Sequence, residues 1–123
     1  MRSRALIRHP KDEELLNDVF PGLGAYYWNP EQVWVAEVDG ELAAGLIEWD
    51  GGHDIVHLGN FVVREEYRTR GVGVALLDHV RADLRSRGRK RILGETQSVE
   101  MAYWAKKRGA SVGGPTFLLG WPT

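Results

Sequence analysis

The chain contains no cysteine among its 123 residues. Disulfide bonds, a thiol nucleophile and cysteine-ligated zinc sites are therefore excluded. Long apolar runs are also missing: the longest, Leu42–Ile47, is far shorter than the roughly 20 residues that a membrane-spanning helix needs. The first residues, Met1–Arg8, are too briefly apolar for a secretory signal peptide. We expect a cytoplasmic protein.

An excess of charge of one sign is lacking as well. The 16 basic and 17 acidic residues give a formal net charge of -1, which predicts no strong overall attraction to nucleic acid or to membranes. The most basic segment, Arg85–Arg91, contains no aromatic residue. A solvated helix end is therefore favoured over an RNA-binding surface. The composition is that of an ordinary globular protein, and we expect a single domain over residues 1–123.

Among the 15 glycines, Gly71 and Gly73 stand at a change of pattern. A β-rich run, Leu58–Val63, is followed by a charged segment, Arg64–Arg70. After the glycines, apolar residues recur at the spacing of one buried helix face, at Leu76, Leu77, Val80 and Leu84. The sequence therefore predicts a strand that leads, through a glycine turn, into the N-terminus of a helix.

Such a turn is suited to binding an anion. The first N–H groups of a helix have no internal acceptor, and the helix dipole places positive potential there. Glycine allows a phosphate to approach the backbone, and Arg68 and Arg70 add charge. A P-loop would need lysine and then serine or threonine where Val74-Ala75 stand. A Rossmann turn would need a small residue in place of Leu76. The pattern thus favours a phosphate-bearing ligand of another kind.

The whole chain shows the order β-α, β-hairpin, β-α-β-α-β, which predicts a mixed sheet. The predicted elements are a strand at Ala5–Ile7, a helix with Leu15, Leu16, Val19 and Phe20 buried, a hairpin of Val33–Val38 and Glu41–Trp49, a strand at Ile55–Val63, the helix after Gly73, a strand at Ile92–Gln97, a helix at Ser98–Arg108 and a final strand or short hairpin at Val112–Trp121. Asp39-Gly40 is a strong hairpin-turn signal. The aromatic segment Tyr26–Trp28 leaves two alternatives open, a substrate mouth or a short helix over the core.

The string from Val63 to Gly73, VREEYRTRGVG, resembles the V-x-x-E-Y-R-x-R-G-x-G pattern of the GNAT superfamily of N-acetyltransferases, and the element order is similar too. The resemblance covers nearly the whole chain. It implies an α/β (α+β) fold with a mixed, mostly antiparallel central sheet, helices on both faces, and strands splayed at the site of coenzyme A (CoA). It also implies that acetyl-CoA is the cosubstrate.

The resemblance assigns cofactor-binding roles to ten residues. The turn that holds the CoA pyrophosphate is matched by Arg68, Thr69, Arg70, Gly71, Val72 and Gly73. The strand that lines the pantetheine arm is matched by Phe61, Val62 and Val63. Ser98 stands where the family has an asparagine that contacts pantetheine. No metal site is expected.

Two catalytic residues are predicted with less direct support from the pattern. His57 stands near the position where some family members have a glutamate, and a neutral imidazole can accept a proton from an ammonium group. Glu95 and Glu48 are alternative bases. The family's acid is a tyrosine four residues before a glycine, and counting back from Gly109 reaches Ala105. Tyr103 is the substitute that we predict.

The sequence therefore predicts an acetyl-CoA-dependent N-acetyltransferase that moves an acetyl group directly to a primary amine in a ternary complex. The acceptor is expected to be a small-molecule or peptide amine, with no nucleic-acid or membrane partner, and a homodimer is left open. A non-catalytic acyl-CoA-binding regulatory domain is the alternative, because Ala105 stands in the tyrosine position. A small RNA-binding module that uses Arg85–Arg91 is a third hypothesis.

Overall fold

The computed structural model describes residues 4–11, 29–114 and 118–123. The strands are β1 (Leu6–Arg8), β2 (Val33–Val38), β3 (Glu41–Asp50), β4 (Ile55–Val63), β5 (Arg91–Glu95), β6 (Ser111–Gly113) and β7 (Leu118–Pro122), and the helices are α1 (Val72–Ser86) and α2 (Val99–Lys107). Short 3-10 turns at Pro30–Gln32 and Glu65–Tyr67 precede β2 and α1. The predicted helix with Leu15, Leu16, Val19 and Phe20, and the segment Tyr26–Trp28, lie outside the described residues.

Within the described ranges, seven strands form one sheet in the order β1-β2-β3-β4-β5-β7-β6. The pairs β1–β2, β2–β3, β5–β7 and β6–β7 are antiparallel, whereas β4 and β5 are parallel. Helix α1 connects the two parallel strands, as a parallel pair requires a long crossover. The predicted mixed, mostly antiparallel sheet is confirmed.

The turn and helix-end signals of the sequence coincide with the structures that they predict. Asp39 and Gly40 have φ values of 52° and 82°, and positive φ at both positions is what a type I′ hairpin turn requires. Helix α1 ends before Gly88, which has a φ of 79°, and α2 ends before Gly109, which has a φ of 95°. Glycine takes this left-handed conformation at helix ends without the steric cost of a Cβ atom. Strands β6 and β7, on either side of residues 115–117, pair antiparallel.

By its internal contacts the chain divides into two compact units, Met1–Glu48 with Asn60–Arg81, and Trp49–Gly59 with Ala82–Thr123. In the first unit, Val33, Val35 and Ile47 form a fully buried cluster against which Leu42 and Val62 pack. Buried positions of α1 in this unit are Val72, Leu76, Leu77 and Val80. In the second unit the buried hydrophobic residues are Val56, Leu84, Ile92, Ala102, Ala105, Ala110, Leu119 and Trp121. The predicted buried stripe of α1 is confirmed.

Strand β4 is irregular near its middle. Asn60 has a φ of 53°, a left-handed conformation that is rare inside strands, although asparagine adopts it more readily than most residues. The parallel ladder with β5 begins at Ile55↔Arg91 and ends at His57↔Leu93. Phe61, Val62 and Val63 therefore lie beyond the last residue of β4 that is paired with β5.

Candidate active site

The turn between β4 and α1 lies wholly in the first unit. Thr69 and Gly71 have φ values of 67° and 79°, and this conformation is uncommon for a β-branched residue such as threonine. The Thr69 hydroxyl donates a hydrogen bond to the Arg68 carbonyl oxygen at 2.5 Å. Ala75 N–H donates to the Gly71 carbonyl at 3.0 Å. The N–H groups of Val72, Gly73 and Val74 come before Ala75 in the first turn of α1, where the helix itself supplies no acceptor for them.

The two arginines of this turn are held in different ways. Arg68 Nε donates to the Val63 carbonyl oxygen at 3.0 Å. The guanidinium carbon of Arg70 lies 5.5 Å from the centroid of the Tyr67 ring. Both side chains are exposed, and no carboxylate of the described residues forms an ion pair with either. Their positive charge is therefore available to an anionic ligand.

Gly73 has a packing role that the sequence pattern did not indicate. A Cβ atom at this position would lie 3.2 Å from Val63 Cγ2 and 3.4 Å from Phe61 Cζ. The first turn of α1 consequently lies against side chains of β4 with little room for a methyl group. Three of the predicted cofactor-binding residues are thereby brought together by packing.

Tyr67 and Glu41 form a contact that sequence reasoning missed. The Tyr67 hydroxyl donates to Glu41 Oε2 at 2.6 Å, although the two residues are 26 positions apart, and Tyr67 is only 7% exposed. This hydrogen bond, followed by burial and by the negative charge of Glu41, raises the pKa of Tyr67 above its ordinary value. The tyrosine of the motif was the available signal, but nothing in the sequence identified its partner.

His57 is an exposed residue of β4 in the second unit. Its ring lies over Gly51, where a Cβ would be 2.9 Å from His57 Cδ2. Trp49 lies over Gly59 in the same way, with Nε1 3.5 Å from the position of a Cβ. An imidazole and a partly exposed indole thus cover two glycines of the β3–β4 hairpin. The sequence did not indicate the contact between Trp49 and Gly59, because cross-strand neighbours depend on the pairing register of the two strands.

The alternative bases occupy different environments. Glu48 is buried in β3, at 8% exposure, and Glu95 is exposed at the last position of β5, paired with Leu118 of β7. Between the two strands of the parallel pair, a Cβ on Gly94 would lie 3.1 Å from the Leu58 carbonyl oxygen. Glycine suits this close backbone approach just after the end of the ladder.

Helix α2 carries the remaining predicted site residues. Ser98 is its N-cap, and its hydroxyl accepts a hydrogen bond from Met101 N–H at 3.2 Å. Tyr103 is 62% exposed, and Lys107 Nζ lies 4.7 Å from the centroid of its ring. Ala105 is 2% exposed. Two residues along a helix correspond to about 200° of rotation, so Tyr103 and Ala105 lie on opposite sides of α2.

The basic segment Arg85–Arg91 is extensively paired. Arg87 forms an ion pair with Asp83 at 2.8 Å, Arg89 with Asp50 at 3.6 Å and Lys90 with Asp54 at 3.8 Å. Arg85 donates to the carbonyl oxygen of Thr123. These partners reduce the positive potential on which nucleic-acid binding depends. The structure thus offers no support for the RNA-binding alternative.

Two kinds of feature are absent from the described ranges, residues 4–11, 29–114 and 118–123. No group of three or more histidine, aspartate or glutamate side chains there is arranged to hold a metal ion. No helix there has the length and apolar character needed to cross a membrane.

The family model described as "Acetyltransferase (GNAT) family" matches residues 5–110. No curated protein sequence matches the chain significantly. Among solved structures, Ard1 from Thermoplasma volcanium is similar with a TM-score of 0.81 and 17% identity, over 97% of each chain. PaiA N-acetyltransferase from Thermoplasma acidophilum, in complex with coenzyme A, gives a TM-score of 0.77 and 16% identity, over 98% of this chain and 99% of that one.

The ribosomal-protein-S18-alanine N-acetyltransferase from Escherichia coli gives a TM-score of 0.75 and 20% identity, over 97% of this chain and 94% of that one. At these identities the structural matches establish a common fold. The family assignment comes from the family model.

Proposed function

Because the chain belongs to the acetyltransferase (GNAT) family, we propose that it transfers the acetyl group of acetyl-CoA directly to a primary amine, in a ternary complex and as one domain over residues 1–123. The observation that carries this proposal is the turn at Arg68–Gly73. Left-handed Thr69 and Gly71 lead into a helix N-terminus whose first N–H groups lack internal acceptors, and two arginine side chains stand beside it.

The residues of this turn fit the pyrophosphate of CoA. Val72, Gly73 and Val74 would donate backbone N–H groups to phosphate oxygens, and Arg68 and Arg70 would supply charge. The backbone of Phe61, Val62 and Val63 would pair with the amides of pantetheine, since these residues lie beyond the part of β4 that is paired with β5. Ser98 would keep a hydroxyl proton to donate, because capping uses that hydroxyl as an acceptor.

Acetyl-CoA supplies an activated thioester, and the chain needs to position it and to manage two protons. Backbone N–H near Val62 would polarise the carbonyl oxygen, which becomes more negative as the amine attacks. A carbon–nitrogen bond then forms and the carbon–sulfur bond breaks. His57, whose imidazole is exposed on β4, would remove, directly or through water, the proton that an ammonium acceptor must lose before it can attack as the free amine.

Tyr103 would return a proton to the departing thiolate. Its ring is exposed on α2 and its neighbour Lys107 lies over the ring, so the hydroxyl is accessible to a ligand. The acceptor would be the amine of a small molecule or a peptide.

A non-catalytic acyl-CoA-binding domain is the second candidate. One observation favours it: Ala105, the residue at the position of the family's tyrosine, is buried at 2% exposure and carries no proton to donate. Under this hypothesis the turn would bind acyl-CoA, while the chain would release no CoA in the presence of amines.

Two measurements test the proposal. First, acetyl-CoA at a hundred times its dissociation constant should stabilise the fold by about 2.7 kcal/mol, which appears as a rise in melting temperature. Pantetheine, which lacks the phosphates, should produce a much smaller shift at the same concentration. Arg87→Ala serves as a matched control, because Arg87 is paired with Asp83 in the other unit and should not alter the response to acetyl-CoA.

Second, free CoA is measured after incubation of acetyl-CoA with a panel of small amines, amino acids and peptides. Amine-dependent release of CoA is the expected result. A folded protein whose melting temperature does not respond to millimolar acetyl-CoA would contradict the cofactor assignment. Binding without release by any amine would favour the regulatory hypothesis.

A further inference from the structure

Tyr67 is the buried centre of the segment that connects β4 to the turn. Its backbone N–H donates to the Arg64 carbonyl oxygen at 2.9 Å, and its hydroxyl donates to Glu41 Oε2 at 2.6 Å. Glu41 is the first residue of β3, immediately after the hairpin turn. A phenol that donates to a carboxylate at this distance makes a charge-assisted hydrogen bond, which is shorter and stronger than a neutral one. Tyr67 is therefore held both at its backbone and at its hydroxyl.

Arg64 ties the same segment to β3 through a second set of contacts. Its backbone N–H donates to the Ala43 carbonyl oxygen at 2.8 Å, and its Nη1 donates to the Leu42 carbonyl oxygen at 3.2 Å. Its Nε lies 2.9 Å from Glu66 Oε1. These bonds hold the backbone of the segment without involving the ring of Tyr67. A change to the ring should therefore act mainly on the side chain that rests on it.

That side chain is Arg70, whose guanidinium carbon lies 5.5 Å from the ring centroid. The face of an aromatic ring carries negative potential, which attracts a cation. No carboxylate of the described residues pairs with Arg70. The contact with Tyr67 is therefore what orients this long, exposed side chain beside the phosphate-binding turn.

We propose that Glu41 and Tyr67 are positioning residues that hold the Arg70 guanidinium at the turn, so that affinity for the phosphate-bearing part of CoA depends on them. This inference rests on the proposed function. Arg70 is oriented before the ligand arrives, and less of its conformational freedom is lost on binding. Neither Glu41 nor Tyr67 contacts the ligand in this arrangement, and their effect passes through Arg70.

A double-mutant cycle tests this coupling. The dissociation constant of CoA is measured by calorimetry for Tyr67→Leu, Arg70→Ala and the double variant. Tyr67→Leu should weaken CoA binding by about three- to tenfold, the range of an exposed to partly desolvated cation–π contact. Arg70→Ala should weaken it by at least as much, because it removes the guanidinium itself. The double variant should bind about as weakly as Arg70→Ala alone, because Tyr67 has nothing left to orient.

Matched measurements separate this role from a general effect on folding. Tyr67→Leu combined with Arg68→Ala should show multiplied losses, because Arg68 is held by the Val63 carbonyl and not by the ring. The dissociation constant of pantetheine should be unchanged in every variant. Tyr67→Phe keeps the ring and should lose less affinity than Tyr67→Leu. Glu41→Gln keeps an amide oxygen that can accept from the Tyr67 hydroxyl, so it should lose no more affinity than Tyr67→Phe.

Independent, multiplied losses for Tyr67→Leu and Arg70→Ala would overturn the proposal, as would an equal loss of pantetheine affinity. If Tyr67→Leu does not fold, the same cycle is measured with Tyr67→Phe. A loss of CoA affinity on Tyr67→Phe that is equally large in the Arg70→Ala background would overturn the proposal. A parent protein that fails to bind CoA contradicts the proposed function itself. A parent that binds CoA, with Arg70→Ala weakened and Tyr67→Leu unaffected, contradicts only the positioning role.

Discussion

Gly73 at the start of α1 and Phe61 on β4 lie against each other with little space for a side chain between them. A Cβ on Gly73 would be 3.4 Å from Phe61 Cζ, and closer still, at 3.2 Å, to Val63 Cγ2. Gly73 belongs to the proposed pyrophosphate turn, whereas Phe61 and Val63 belong to the proposed pantetheine strand. Packing at this point therefore links two parts of the proposed site, and a substitution here should disturb both.

We expect Gly73→Val to lower the free energy of unfolding by about 1–3 kcal/mol, the usual cost of overpacking, and to abolish most CoA affinity. Urea unfolding and calorimetry measure the two effects. Gly113→Ala is the matched control, because a Cβ there has nothing within 4 Å. A folded Gly73→Val variant that binds CoA as tightly as the parent would show that this contact does not shape the site.

Gly71→Ala should destabilise the protein by about 1–2 kcal/mol, because an L-residue is strained at a φ of 79°. The same substitution should weaken CoA binding, since the strained turn presents the N–H groups of α1. Gly88→Ala provides the comparison: Gly88 also has a φ of 79°, but it follows the other end of α1. Equal effects of the two variants on CoA affinity would contradict a specific role for the turn.

His57→Ala should reduce the rate of acetyl transfer at neutral pH by on the order of a hundredfold, the usual contribution of a general base. The deficit should shrink as the pH rises, because more of the acceptor amine is then already deprotonated. Initial rates of CoA release between neutral and alkaline pH, with saturating acetyl-CoA, provide the measurement. A deficit that does not change with pH would move the role of base to water or to a glutamate.

Tyr103→Phe should lower kcat for acceptors whose rate is limited by departure of the thiolate, while the dissociation constant of acetyl-CoA stays the same. The phenyl ring keeps the contact surface for Lys107 and removes only the hydroxyl proton. Steady-state kinetics and calorimetry on the same preparation separate the two quantities. An unchanged kcat for every acceptor would mean that the thiolate leaves without help from Tyr103.

The free energy of unfolding should decrease at alkaline pH because of Tyr67. Its hydrogen bond to Glu41, its burial and the charge of Glu41 raise its pKa in the folded protein, so the folded state retains the phenolic proton more strongly than the unfolded state. This contribution is fully present below the ordinary tyrosine pKa of about 10, and it is lost as the pH rises through the raised pKa.

Urea unfolding of the parent and of Tyr67→Phe, compared between neutral pH and pH values above about 10, checks this expectation. The parent should be more stable than Tyr67→Phe at neutral pH, and the difference should diminish with increasing pH, which separates Tyr67 from other groups that titrate there. A difference that stays constant or grows across this range would show that the Glu41 hydrogen bond does not favour the protonated tyrosine.

Several features were determined by the sequence alone, because the interactions that produce them are local. Asp39-Gly40 forms its turn since both residues tolerate positive φ. The apolar spacing of α1 places Leu76, Leu77, Val80 and Leu84 on one buried face. The string from Val63 to Gly73 identified the family, which the family model confirms over residues 5–110.

Only the tertiary structure decided how distant residues meet. The pairing of β3 and β4 lays Trp49 over Gly59, and the docking of α1 places Gly73 against Phe61 and Val63. The contact of Tyr67 with Glu41 joins residues 26 positions apart. A hydrophobic period or a turn signal describes neighbours within a few residues, whereas these contacts depend on strand register and on packing between elements. The sequence by itself therefore determined the described elements, the family and the glycine turn that we propose binds phosphate, and the fold decided which side chains support that turn.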